Sequence, residues 1–216
     1  MKDTFIKGLY AITDEQLVHN SLLGKVAQVV RGGAAVIQYR NKSGDQQQRS
    51  CEVRALLTLC HQLHVPLIVN DDVMLAKAEG ADGVHLGRED ESIRQARVVL
   101  GEQAVIGVSC YNDLQRAITA QESGADYVAF GSFFPSPTKP DTVLAPIDLL
   151  RQAKARLSIP VVAIGGITPH NAPLLIDAGA DAVAVIHGLF GHANPGFMAR
   201  EYARLFSARQ YRVAAK

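Results

Sequence analysis

GADGVHLG, residues 80–87, is the stretch on which the fold turns. It opens on a glycine suited to the position just past a helix, where φ is often positive. An apolar run then enters a sheet, with a polar residue, His85, near its end. The same form returns at Gly33-Ala34-Ala35-Val36, Gly124-Ala125-Asp126-Tyr127-Val128 and Gly179-Ala180-Asp181-Ala182-Val183. These glycines open the runs AAVIQYRNK (34–42), DGVHLG (82–87), DYVAFGS (126–132) and DAVAVIHG (181–188). GLYAITD (8–14), PLIVNDD (66–72), AVIGVSC (104–110) and PVVAIGG (160–166) alternate with them, making eight. Eight buried strands separated by helical segments describe an α/β fold, the (β/α)8 TIM barrel. The unequal spacing of the repeat fits barrel symmetry and not a solenoid.

Apolar residues three or four apart fill the gaps, predicting helices over 21–31, 46–63, 72–79, 91–100, 112–123, 147–157, 171–178 and 195–207. Asn112 or Asp113 is the expected cap of the fifth, and Thr168-Pro169 stands near the start of the seventh. The chain has 216 residues, against about 250 for a typical barrel of this kind, so one compact domain over 1–216 with short loops is expected. Residues 132–146, with Pro135, Pro137, Pro140 and Pro146, lack periodicity and read as a substrate loop. Met1–Lys7 and Gln210–Lys216 are expected to fray.

A net charge of +1 provides no field to recruit nucleic acid. Solidly apolar stretches stay under ten residues, too short to span a membrane. Residues 1–12 lack the features of a signal peptide, and Cys51, Cys60 and Cys110 form no CxxC pair. Reduced thiols and a cytoplasmic location are the expectation. A homodimer is compatible with this size, and no pattern specifies one.

Active sites of such barrels lie at the C-terminal ends of the strands. Gln38 and Arg40, two apart, share one face of the second strand, and Lys42 follows. Arg and Lys at a barrel mouth suit an anion such as phosphate, or stand solvated. Asn70 and Asp71 end the third strand, and Asp90 follows the fourth. These carboxylates could be ion-paired, cap helices, or hold Mg²⁺, which takes one or two carboxylates plus substrate phosphates and reverses the local sign. His85, between Gly83 and Gly87, leaves room for a flat ligand or serves the fold alone. Ser109 ends the fifth strand; Cys110 beside it reads as core packing. Ser136, Thr138 and Lys139 put hydroxyls beside a cation in the 132–146 loop. Gly165-Gly166 and Ile186-His187 end the last two strands, where backbone N–H groups commonly bind phosphate. His61 and His64 lie on a helix away from the strand ends and read as surface residues.

Taken in order, YAITD (10–14), QYRNK (38–42), VND (69–71), DGVHLGRED (82–90), IGVS (106–109), DYVAFG (126–131), TKP (138–140), AIGGI (163–167) and VAVIHGLF (183–190) resemble the thiamine-phosphate synthase family. The likeness runs from about Gly8 to Phe190. It implies a transferase of thiamine biosynthesis, joining a pyrimidine pyrophosphate to a thiazole phosphate. It further implies Mg²⁺ on Asp71 and Asp90, and pyrophosphate on Arg40, Lys42, Asn70, Ser109 and Lys139. Gln38 and His85, with Tyr10, would meet the aminopyrimidine. Gly166, Ile186 and His187 would line the thiazole-phosphate site, helped by Ser136 and Thr138.

The chain departs from the family pattern at Ser136, where Thr is frequent, at His187, where Ser is frequent, and at Arg88, where Gln is frequent. A thiazole tautomerase on the same barrel, another phosphate-binding barrel such as an epimerase, and a silent binding protein are the alternatives. Asn70-Asp71, Asp90 and Thr138-Lys139 favour the synthase.

Overall fold

The computed structural model describes residues 6–18, 21–88, 92–135 and 143–214. Eight parallel strands close into a barrel in sequence order. They are β1 (Gly8–Ile12), β2 (Ala34–Tyr39), β3 (Leu67–Asn70), β4 (Gly83–Leu86), β5 (Val105–Tyr111), β6 (Tyr127–Phe130), β7 (Val161–Ile164) and β8 (Ala182–Val185). The expected helices are present as α2 (Leu22–Arg31), α3 (Gln46–Gln62), α4 (Val73–Glu79), α5 (Ile93–Leu100), α6 (Leu114–Glu122), α7 (Asp148–Arg156), α8 (Ala172–Asp177) and α10 (Pro195–Ala214). Two single-turn helices were not legible in the pattern, α1 (Glu15–Val18) and α9 (His187–Phe190), because one turn is too short to show a period. β2 stops at Tyr39, which places Arg40–Lys42 in the loop that follows. The last helix runs on through Ala214, past the point where a frayed end was expected.

Side-chain caps set the starts of four helices. Asp45, Asp72 and Asp113 each accept a backbone N–H three residues on, and Ser92 with Gln95 forms a capping box. Of the two candidates for the fifth expected helix, Asp113 is the cap. Before α8, Thr168 and Asn171 exchange side-chain and backbone hydrogen bonds.

The core has two parts. One lies between the sheet and the helices and takes the outward face of each strand, for example Leu9, Ile37, Leu67, Ile106 and Val128. The other fills the barrel, with Ile6, Val36, Ile68, Val105 and Ala182 among its residues. Strand residues alternate between the two, as the period of two requires.

The repeat seen in the sequence lies at the foot of the barrel. Gly33, Gly80, Gly124 and Gly179 all have positive φ, from 72° to 114°. The aspartates that follow three of these glycines stitch neighbouring strands together. Asp82 accepts from Leu67 N, Asp126 from Ile106 N and Asp181 from Val161 N, each at 2.8 Å. Each also meets a helix residue: His61, Arg97 and Lys154 respectively. His61 is thus a surface residue tied to the sheet. Among the described residues no helix is long and apolar enough to cross a membrane.

Candidate active site

The C-terminal mouth opens into a cavity of about 650 Å³. One side is polar. Gln38, Asn70, His85 and Ser109 face inward from β2, β3, β4 and β5. The opposite side is mainly apolar, with Val162, Ile164, Ala184 and Ile186 from the β7 and β8 end.

A buried row of hydrogen bonds crosses the barrel beneath the polar side. Gln38 Nε2 lies 2.9 Å from Tyr10 Oη, which lies 2.6 Å from Tyr127 Oη. Tyr127 Oη is 2.9 Å from His85 Nδ1, and His85 Nε2 is 2.9 Å from Ser109 Oγ. Burial pushes both phenols above their ordinary value, so both stay neutral. The Tyr127 ring stacks on His85 at 5.5 Å and meets Tyr10 edge-on at 5.9 Å. Gly107 makes room for it, since a Cβ there would fall 2.0 Å from Tyr127 Cζ.

Charges ring the mouth. Arg40 bonds Asp14 at 3.1 Å, with Glu15 Oε2 at 3.9 Å. Both acids follow β1, Asp14 in the loop and Glu15 at the start of α1, and Asp14 stands 26 positions from Arg40, so their pairing is not visible along the chain. Lys42 Nζ stands 3.8 Å from Asp71. Asp71 takes a left-handed conformation, φ 64°, uncommon for a residue other than glycine and frequent near functional sites. Its neighbour Asp72 does the capping and also pairs with Arg49. The cap and the candidate ligand are therefore two successive aspartates. Arg88 lies 4.6 Å over the Tyr111 ring, and both line the cavity.

Gly165 and Gly166 have positive φ, and a Cβ on either would strike the chain after β6, at Ser132 or at the carbonyls of Phe134 and Pro135. A crevice of about 50 Å³ runs between them and Ile186, His187 and Gly188. His187 opens α9, and its ring lies over Gly191. Asp90, Ser136, Thr138 and Lys139 lie outside the described residues. Gln38, Arg40, Asn70, His85, Ser109 and Ile186 share the large cavity, whereas Gly166 and His187 line the smaller crevice. Tyr127, Arg88, Tyr111 and Asp14 went unassigned in sequence. Parity would have found Tyr127, because it stands two before Ala129 and four before Gly131 on an inward face. Cys110 is buried and held as a thiol, its value pushed up to about 12 by burial.

The family model and the most similar relatives agree on one family. The thiamine monophosphate synthase family matches residues 9–189. The chain is 54% identical to the thiamine-phosphate synthase of Nitrosococcus oceani over 202 residues, 93% of each chain. It is 53% identical to that of Thiobacillus denitrificans over 205 residues, 95% of this chain and 97% of the other. Among solved structures, a thiamine phosphate pyrophosphorylase from Pyrococcus furiosus superposes with a TM-score of 0.86 at 33% identity, covering 95% of this chain and 97% of that one.

Proposed function

Because the chain belongs to the thiamine-phosphate synthase family, we propose that its barrel mouth joins 4-amino-2-methyl-5-hydroxymethylpyrimidine pyrophosphate to hydroxyethylthiazole phosphate. The products are thiamine phosphate and pyrophosphate, and the protein is a transferase. The observation that carries this reading is near-full-length identity of about half to proteins named for the activity. The two-sided cavity supports it, since it offers a polar wall and an apolar wall to two different rings.

The reaction needs no protein nucleophile. The bond from the pyrimidine methylene carbon to the pyrophosphate oxygen breaks, and the electron pair leaves on pyrophosphate. The amino-substituted ring spreads the positive charge left behind. The thiazole nitrogen lone pair then forms the new carbon–nitrogen bond. What the residues contribute is charge and position. Arg40, Lys42, Asn70, Ser109 and Lys139 hold the departing pyrophosphate, and Arg88 adds a cation at the same mouth. Gln38, His85 and Tyr10 hold the aminopyrimidine. Gly166, Ile186 and His187 receive the thiazole phosphate, helped by Ser136 and Thr138.

The donor set fits Mg²⁺. Asp71 is a hard oxygen ligand at the mouth, with its carboxylate 37% exposed beside Lys42. Asp90 is its proposed companion. Among the described residues no three His, Cys, Asp or Glu side chains gather into a cage, and an ion completed by phosphate oxygens and water needs none. When bound, Mg²⁺ neutralises charge on the leaving pyrophosphate. The test is to mix purified protein with both substrates, with and without Mg²⁺, and follow both products. Mg²⁺-dependent formation of thiamine phosphate is expected. No product from folded protein overturns the reading.

A further inference from the structure

Tyr127 is wholly buried and does not line the cavity, yet it joins two residues that do, Tyr10 and His85. We infer that Tyr127, acting through Tyr10 and His85, is a positioning residue that fixes which ends of Gln38, His85 and Ser109 donate and which accept, and so makes the cavity select an aminopyrimidine over its oxo counterpart. The inference rests on the reading of this cavity as the pyrimidine site.

The order follows from one end of the row. An amide nitrogen donates and does not accept. Tyr10 therefore accepts from Gln38 Nε2, and its own hydrogen passes to Tyr127. The Tyr127 hydrogen is then directed to His85 Nδ1, which makes His85 the tautomer protonated at Nε2. His85 Nε2–H donates to Ser109 Oγ, and the Ser109 hydrogen turns into the cavity, ready for an anionic oxygen. Both phenols keep the hydrogens this needs, being neutral at working pH.

The other end of Gln38 completes the argument. With Nε2 held by Tyr10, Oε1 has no partner among the described residues, although Gln38 lines the cavity and is only 2% exposed. A carbonyl oxygen accepts from an exocyclic amino group. An oxo group in the same place sets acceptor against acceptor, and a site built around one polar match rejects its opposite strongly. Turning the amide over would require the tyrosine hydrogens and the histidine tautomer to change together. That is why Tyr127, which does not line the cavity, holds the choice.

The experiment uses the whole protein with ¹⁵N-labelled histidine, as wild type, Tyr127→Phe and Tyr10→Phe. Phenylalanine keeps the ring packing and removes only the hydroxyl. Ring-nitrogen NMR reads the His85 tautomer without turnover. Kinetics with the 4-amino and 4-oxo pyrimidine pyrophosphates read selection. The wild type is expected to show Nε2–H at His85, and Tyr127→Phe to lose that preference. The amino-over-oxo ratio of kcat/KM is expected to fall about 10-fold or more in both variants, mainly through KM. Nδ1–H in the wild type, or an unchanged ratio in folded Tyr127→Phe, overturns the inference. A wild type that makes no thiamine phosphate defeats the functional reading and the selection with it, while the tautomer still decides the hydrogen-bond order.

Discussion

The foot and the mouth of the barrel use the same residue type for opposite ends. At the foot, Asp82, Asp126 and Asp181 each accept a strand N–H and each meet a helix side chain, so their charge is absorbed by the fold. At the mouth, Asp71 sits in a left-handed turn, partly exposed, with Lys42 Nζ 3.8 Å away. A carboxylate placed where strands begin holds strands together. One placed where strands end is positioned for something that arrives. The internal repeat belongs to the foot, so the most regular signal in the sequence marks stability, and the irregular residues mark the site.

That contrast can be broken by substitution at either end. The largest effect is expected at the mouth. Asp71→Asn keeps a residue that tolerates the left-handed turn and removes the charge. It should lower kcat about 10²–10³-fold, the usual cost of one preorganised electrostatic group, with little change in Tm. Lys139→Ala should fall on the same scale. Steady-state kinetics beside a melting curve check both, and wild-type turnover by either variant refutes its role.

Gly166→Ala tests the backbone side of the mouth. Its Cβ would fall 2.3 Å from Pro135 O, at a φ of +60°. The expected outcome is a rise of about 10-fold in KM for thiazole phosphate, from about 1–3 kcal/mol of strain, with KM for the pyrimidine substrate unchanged. A parallel rise in both would show that the two walls are not separate.

Asp126→Ala tests the foot. Loss of the bonds to Ile106 N and Arg97 should cost about 1–3 kcal/mol, and Tm should drop by about 2–4 °C for each. Turnover below the melting range should stay at the wild-type value. The smallest effect concerns cysteine. Cys51 is exposed, whereas Cys60 and Cys110 are buried with thiols pushed up to about 12. Alkylation of folded protein near neutral pH should label Cys51 alone, read by mass. Because the folded value is raised, stability is intact below the ordinary value of 9.0 and falls as pH climbs from there towards 12. A melting temperature that stayed level across that window would count against the burial.

The pattern of residues along the chain is enough to specify the barrel, because eight apolar runs and a glycine at each even strand leave few other ways to bury the chain. It also determined the chemical types at the strand ends, since a period of two puts Gln38, Asn70, His85 and Ser109 on the inward face. Tertiary structure decided the partners. Arg40 meets Asp14 and Glu15 only because β1 and β2 are neighbours in the barrel. Asp71 and Asp72, adjacent and alike in sequence, part into a mouth carboxylate and a helix cap through one backbone angle. The row from Gln38 to Ser109 draws on five strands and crosses 117 positions at the Tyr10–Tyr127 bond alone. A hydrogen bond has a length of about 3 Å in space and no length along a chain, so closure of the barrel had to bring its ends together.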